Sequence, residues 1–153
     1  MTSKMEPEAA RSGSRRRIHV IFNPAAGRNR RVRLNAVLAH LNGLAEVTVI
    51  ETRAPGHAEQ IARAATAATM DVIVAAGGDG TVSEIVNGLA DPAIALGLIP
   101  LGTANVLAHE IALPRDPARI ARTLAAGPIK PVRIGRANHV ANEASIRFFP
   151  ARS

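Results

Sequence analysis

The chain has 153 residues, 47% of them hydrophobic and 2% aromatic, enough for one domain that buries most of its apolar surface around an aliphatic core. So few rings argue against stacking platforms for nucleic acid, and the absence of cysteine excludes disulfide frameworks, thiolate nucleophiles and zinc knuckles, in keeping with a reducing cytoplasm. The net charge is +7, but nine of the 19 basic residues lie before residue 34, against Glu6 and Glu8 alone on the acidic side, so the excess is local.

Met1 to Arg17, ending RSGSRRR, reads as a disordered basic leader, either a solvated tail or a segment drawn to anionic lipid headgroups. No apolar run approaches the roughly 20 residues of a membrane span, and the N-terminus lacks the apolar segment of a signal peptide. A soluble, cytoplasmic protein is expected, with peripheral contact at the inner membrane face as the option the leader leaves open. IHVIF (Ile18 to Phe22) is a short buried-strand candidate that ends at Asn-Pro. From about Asn29 to Leu41, Val32, Ala36, Val37, Ala39 and Leu41 recur among arginines at roughly helical spacing, with Asn42-Gly43 as the stop. EVTVIET (Glu46 to Thr52) alternates and is β-branched, so it reads as a second strand; Pro55-Gly56 turns the chain, and His57 to Thr69 is helical by alanine content.

DVIVAA (Asp71 to Ala76) is the most continuously apolar run, as a parallel strand covered on both faces should be. Thr81 to Leu89 follows as helix, Ala95 to Ile99 as strand, Ala104 to Ile111 and Asp116 to Ala126 as helices, and Pro131 to Ile134 as a weak strand. Strands alternating with helices predict βαβ units, right-handed crossovers and a parallel sheet. SIRFFPARS at the end looks like a strand that starts and then stops at Pro150.

The loops that matter lie at the C-terminal ends of predicted strands, where open α/β sheets bind ligands. In GGDGT, Gly77, Gly78 and Gly80 permit positive φ and let backbone N–H groups approach an anion, and the helix start behind them adds partial positive charge. The same stretch also reads as a tight turn with Thr81 as N-cap and Glu84 completing a T-x-x-E capping box; capping accounts for Thr81 and Glu84 but not for three glycines around an aspartate. Asp79 would repel phosphate unless a cation intervened, which places it toward Mg²⁺ or the transferring group. NPAAG (Asn23 to Gly27) leaves the first strand and PLGTAN (Pro100 to Asn105) the fourth, each either an ordinary turn or a source of polar groups for a phosphate. Thr52, ending the second strand, could reach a nucleotide or satisfy local backbone.

No Walker A loop, no G-x-G-x-x-G and no G-x-S-x-G elbow occurs, and the only lysines are Lys4 and Lys130. Charge neutralisation would therefore fall to backbone dipoles, Mg²⁺ and Arg28 or Arg30. The histidines show no metal-ligand pairing; His57, just after Pro55-Gly56, is the one most open to a functional role.

IFNPAAG, GGDGTVSEIVNGL and LGLIPLGTANVLAHEIALP, in that order and spacing, resemble the catalytic-domain family of diacylglycerol kinases, shared with sphingosine kinases and bacterial lipid kinases, from about Ile18 to Gly135. The resemblance implies an α/β fold, a parallel-sheet βαβ three-layer domain of the NAD kinase/diacylglycerol kinase N-terminal type, phosphofructokinase-like. It divides the chain into the leader (1–17), a nucleotide-binding catalytic domain (18–135) and the truncated start of a C-terminal β-sandwich domain (136–153). It also implies an ATP site: Asn23, Pro24, Ala25, Ala26, Gly27, Thr52, Gly77, Gly78, Asp79, Gly80, Thr81, Val82, Ser83, Glu84 and Thr103 would contact ATP or its phosphates, with Asp79 as the catalytic residue beside Mg²⁺. Such enzymes move the γ-phosphoryl of ATP to a lipid hydroxyl, here of a diacylglycerol or sphingoid-type acceptor. The family's general base is an Asp in a second domain beyond Ser153, and a strand position often acidic in the family is Arg133. Two other readings stay open. An NAD-kinase-like enzyme is suggested by Asn142-Glu143 in ANEAS, and a non-catalytic nucleotide-binding module by the chain's short extent. The acceptor lipid and the oligomeric state are not legible.

Overall fold

A computed structural model describes residues 13–26, 28–134 and 144–148. In chain order the elements are β1 (Arg17–Phe22), a 3₁₀ turn (Pro24–Ala26), α1 (Arg28–Leu41), β2 (Glu46–Glu51), α2 (His57–Ala64), β3 (Val72–Gly77), α3 (Asp79–Gly88), β4 (Ala95–Pro100), α4 (Val106–Glu110), α5 (Pro117–Ala126), β5 (Lys130–Ile134) and β6 (Ala144–Phe148). The strands form one sheet in the order β2-β1-β3-β4-β6-β5. All neighbours are parallel except β5 and β6, which pair antiparallel.

The apolar runs are continuous because the central strands have helices on both faces. Ile18, Val20 and Phe22 of β1 and Val72, Val74 and Ala76 of β3 pack on one face with Leu34, Val37 and Leu41 of α1 and Ile120, Ala121 and Leu124 of α5. Ile21, Ile73, Ala75, Leu96 and Leu98 point to the other face, against Ala58 and Ala62 of α2 and Ile85 of α3. This is the three-layer α/β architecture expected from the alternation of elements.

Register matters most for the site. Phe22 stands beside both Glu51 and Ala76, and Gly77 beside Pro100, so β1, β2, β3 and β4 all release their chains at the same, C-terminal end of the sheet.

Several local expectations change. The helix expected to run from His57 to Thr69 ends at Ala64: Ala65 turns extended, and the Ala67 N–H goes to Asp91 Oδ2 at 2.8 Å rather than into a helix. The helix expected over 104–111 is only Val106–Glu110. Of the leader, residues 1–12 lie outside the described residues, while the last two arginines are fixed. Arg16 donates to the carbonyls of Leu124 and Gly127 at the end of α5 (3.1 and 2.8 Å), and Arg17 donates to those of Ala68 and Ala67 and pairs with Asp71 at 2.9 Å. The strand suspected in SIRFF is β6, inserted between β4 and β5. Asn142-Glu143 lies outside the described residues.

Candidate functional site

Three strand exits converge on a cleft of about 720 Å³ lined by Asn23, Pro24 and Ala25 after β1, Thr52, Arg53, Ala54 and Pro55 after β2, and Gly78, Gly80, Thr81 and Glu84 at the start of α3, with Arg30 and Ala58 closing it. Each wall is held by a short-range device. Asn23 Oδ1 accepts from the Ala25 N–H at 3.0 Å, fixing the turn into the 3₁₀ segment. Thr52 continues the ladder, its N–H donating to the Phe22 carbonyl at 2.8 Å. The His57 ring closes the next turn, Nδ1 accepting from the Arg53 N–H at 3.0 Å, so the histidine left open to a functional role is used by the backbone.

The start of α3 differs from the expected capping box. β3 runs through Gly77, Gly78 is the N-cap in an extended conformation (φ −92°), and the helix begins at Asp79, two residues before Thr81. Thr81 is 8% exposed, its side chain packed over Gly77, and Glu84 accepts from the Gly56 N–H at 2.9 Å instead of reaching back to Thr81. No side chain caps α3. Its first N–H groups, on Asp79, Gly80 and Thr81, therefore have no acceptor within the helix and lie at the positive end of its dipole, with Gly80 and Thr81 in the cleft wall.

The glycines of this loop do not serve positive φ either: among the described glycines only Gly13 and Gly56 adopt it. Gly77 and Gly78 serve close approach. A Cβ on Gly102 would sit 2.6 Å from Gly78 Cα, so the loops after β3 and β4 touch backbone to backbone, whereas a Cβ on Gly80 would meet nothing within 4 Å. Gly80 itself lines the cleft.

Asp79 turns from the cleft wall toward the β4 exit, where Oδ1 accepts from the Val106 N–H at 2.9 Å and caps α4. Thr103, expected among the nucleotide contacts, lines a separate cavity on the far side of that loop. Gly77 is buried beneath the site, Val82 packs against the lower core, and Ser83 is exposed on α3. Ala26 ends the 3₁₀ turn and Gly27 lies outside the described residues. Eight of the expected residues thus share one cleft: Asn23, Pro24, Ala25, Thr52, Gly78, Gly80, Thr81 and Glu84. Arg53 was not anticipated; its signal in the sequence is an isolated cation directly after a strand exit. With Arg30 it makes the cleft net positive, since among the described residues Glu84 is the only carboxylate in its wall. No group of three or more His, Cys, Asp or Glu suited to a metal exists among the described residues, and none of the described helices is long and apolar enough to cross a membrane.

A parallel sheet that gathers its strand exits around an uncapped, glycine-lined helix start defines a protein of the open-sheet α/β class. The sequence profile of the diacylglycerol kinase catalytic domain matches residues 17–137, and the chain belongs to that family. It is similar to the diacylglycerol kinases of Bacillus subtilis (38% identical over 128 residues, covering 80% of this chain and 42% of the relative) and of Staphylococcus epidermidis (33% over 129 residues, 82% and 41%). The crystal structure of a diacylglycerol kinase from Bacillus anthracis superposes with a TM-score of 0.65 and 26% identity over 78% of this chain and 45% of that one. A second solved chain from the same organism gives 0.68 at 28% identity. The chain therefore spans about 42% of the length of the curated relatives it matches.

Proposed function

We propose that residues 18–135 form the nucleotide-binding part of a lipid kinase that transfers the γ-phosphoryl of ATP to the hydroxyl of a diacylglycerol or sphingoid-type lipid. The observation that carries this reading is the uncapped start of α3, with open space at Gly80, in a cleft that Arg30 and Arg53 also line. Phosphate oxygens would accept from the N–H groups of Gly80 and Thr81, and the arginines would balance the remaining charge. The nucleoside end would extend along Thr52 and the Asn23 turn. In the transfer, the lipid oxygen bonds to the γ-phosphorus and gives up its hydroxyl proton to a base, as the bond from phosphorus to the β,γ-bridging oxygen breaks and ADP leaves. Positioning and charge stabilisation supply the catalysis.

The residues fit Mg²⁺ carried by the nucleotide rather than a protein cage. Asp79 commits Oδ1 to Val106 and Glu84 accepts from Gly56, which leaves the second carboxylate oxygen of Asp79 for an outer contact with a hydrated ion, and Mg²⁺ is commonly held by one or two carboxylates plus substrate phosphates. The ion would neutralise charge on the phosphates. The basic excess before residue 34 supports a peripheral approach to an anionic membrane, where the lipid acceptor would be met.

The test is to incubate the chain with radiolabelled ATP, Mg²⁺ and a panel of diacylglycerol, sphingoid base and NAD, alongside calorimetric titration with Mg·ATP. Label on a lipid supports the kinase, label on NAD moves the protein to the NAD-kinase branch, and binding without transfer makes it a nucleotide-binding module. Absence of any ATP binding overturns the reading. Asp79→Asn separates the two uses of that carboxylate: the amide oxygen still accepts from Val106, so the melting temperature holds, while Mg²⁺-dependent ATP binding weakens by about tenfold, as loss of one charge-assisted contact implies.

A further inference from the structure

On the opposite side of the β4 exit loop from the nucleotide cleft, α1, the loop, α4 and the start of α5 enclose a second cavity of about 430 Å³, within the range of small-ligand sites. Its floor is aliphatic, made by Val37, Ile99, Leu101 and Ile120. Its rim carries Arg33, His109 and Arg115, and among the described residues no Asp or Glu contributes to the lining. Among the described residues the ion pairs are Arg17 with Asp71, Arg31 with Glu51 and Arg63 with Glu59, so neither rim arginine is neutralised by a carboxylate. The neighbouring Asp116 is occupied as the N-cap of α5, accepting from the Arg119 N–H at 2.9 Å. Arg33 leans across the opening, its Nη2 donating to the Pro100 carbonyl in a long 3.4 Å contact. Asn105 is self-contained, bonded through both ends of its amide to Gly102, which leaves the exposed Thr103 hydroxyl as the neutral polar group at the mouth.

We infer that this cavity binds a single-chain amphiphile, its aliphatic chain on the Val37–Ile120 floor and its anionic head, carboxylate or phosphate, between Arg33 and Arg115. The chemistry of the wall selects that class. Two guanidiniums without carboxylate partners recognise a planar or tetrahedral oxyanion; a floor without any aromatic ring suits a chain rather than a nucleobase, which would call for stacking. The inference stands independently of the nucleotide reading, because the lining of the two cavities shares no residue.

The chain is titrated calorimetrically with decyl phosphate, decanoate, neutral decyl maltoside and inorganic phosphate, each kept below its micellar concentration. One saturable site for decyl phosphate or decanoate, whichever head is preferred, with neutral detergent and inorganic phosphate at least tenfold weaker, is the expected result. Arg33→Gln combined with Arg115→Gln removes the head contacts at exposed positions, and Ala36→Phe, also exposed on α1 and in the cavity wall, fills the space. Both are expected to keep the melting transition and to weaken binding by about tenfold or more, the loss expected for charge-assisted contacts. No saturable binding, equal affinity for the neutral detergent or inorganic phosphate, or unchanged affinity in either variant would overturn the assignment.

Discussion

Gly78 and Gly80 stand two residues apart at the start of α3, one as its N-cap and one in its first turn, and are glycine for different reasons. Gly78 meets Gly102 across the β3 and β4 exits; Gly80 has free space where a side chain would go. A substitution at Gly78 therefore disturbs the fold and the cleft together, whereas Gly80 isolates the cleft. Gly80→Ala is expected to leave the melting temperature unchanged or slightly raised, because alanine within a helix gains up to about 1 kcal/mol over glycine. The same variant should bind Mg·ATP about tenfold more weakly, since the new methyl occupies the space assigned to phosphate oxygens; calorimetry beside a thermal melt reads both. Gly102→Ala has the opposite signature: its Cβ would lie 2.6 Å from the Gly78 backbone, and overpacking of that kind costs about 1 to 3 kcal/mol. The sequence marked GGDGT as special from its residues alone, but why each glycine is there depends on a contact spanning 24 positions, which no local pattern carries.

Elements were legible where burial on both faces dictated them, as in β1, β3 and β4, and less so at their ends. The T-x-x-E pattern at Thr81 and Glu84 satisfies every local rule for a capping box, yet β3 carries Gly77 into the sheet and the α2 turn takes Glu84 through Gly56. Long-range partners outcompete local ones there. His57 to Thr69 failed as one helix for a related reason: alanine content supports a helix, but Asp91 claims the Ala67 N–H. What remains of α2 is eight residues, and it is held by close packing on α3. A Cβ at Gly88 would collide with the Glu59 carbonyl and lie 3.0 Å from Ala62 Cβ. Gly88→Ala is expected to destabilise the chain by about 1 to 3 kcal/mol despite the better helix propensity of alanine. Denaturant unfolding measures it, and a neutral or stabilising result would show that the two helices can move apart without loss.

At the scale of the whole molecule, the central strand β1 ties stability to pH through two groups at its N-terminal end. His19 has its pKa lowered by burial and by the nearby Arg17 cation, so the folded chain resists the proton that the unfolded chain accepts near 6.5. The unfolded state then binds more protons, and stability falls as pH drops below about 6.5 toward the folded value. Asp71 is shifted down by its hydrogen bond from the Arg17 side chain, against opposing desolvation. Its contribution is complete above the ordinary Asp value of about 3.8 and disappears as pH falls through the lower folded value. Acid unfolding should therefore have two limbs. His19→Gln is expected to flatten the first, which begins below about pH 6.5, without touching the second, and Asp71→Asn to remove the second while lowering stability at neutral pH, because the Arg17 anchor to the α2–β3 connection loses its charged partner. Urea midpoints measured at half-unit steps from pH 8 to 3 on the chain and the two variants separate these contributions. A single limb unaffected by His19→Gln would mean that this imidazole is as well solvated in the folded strand as in the open chain.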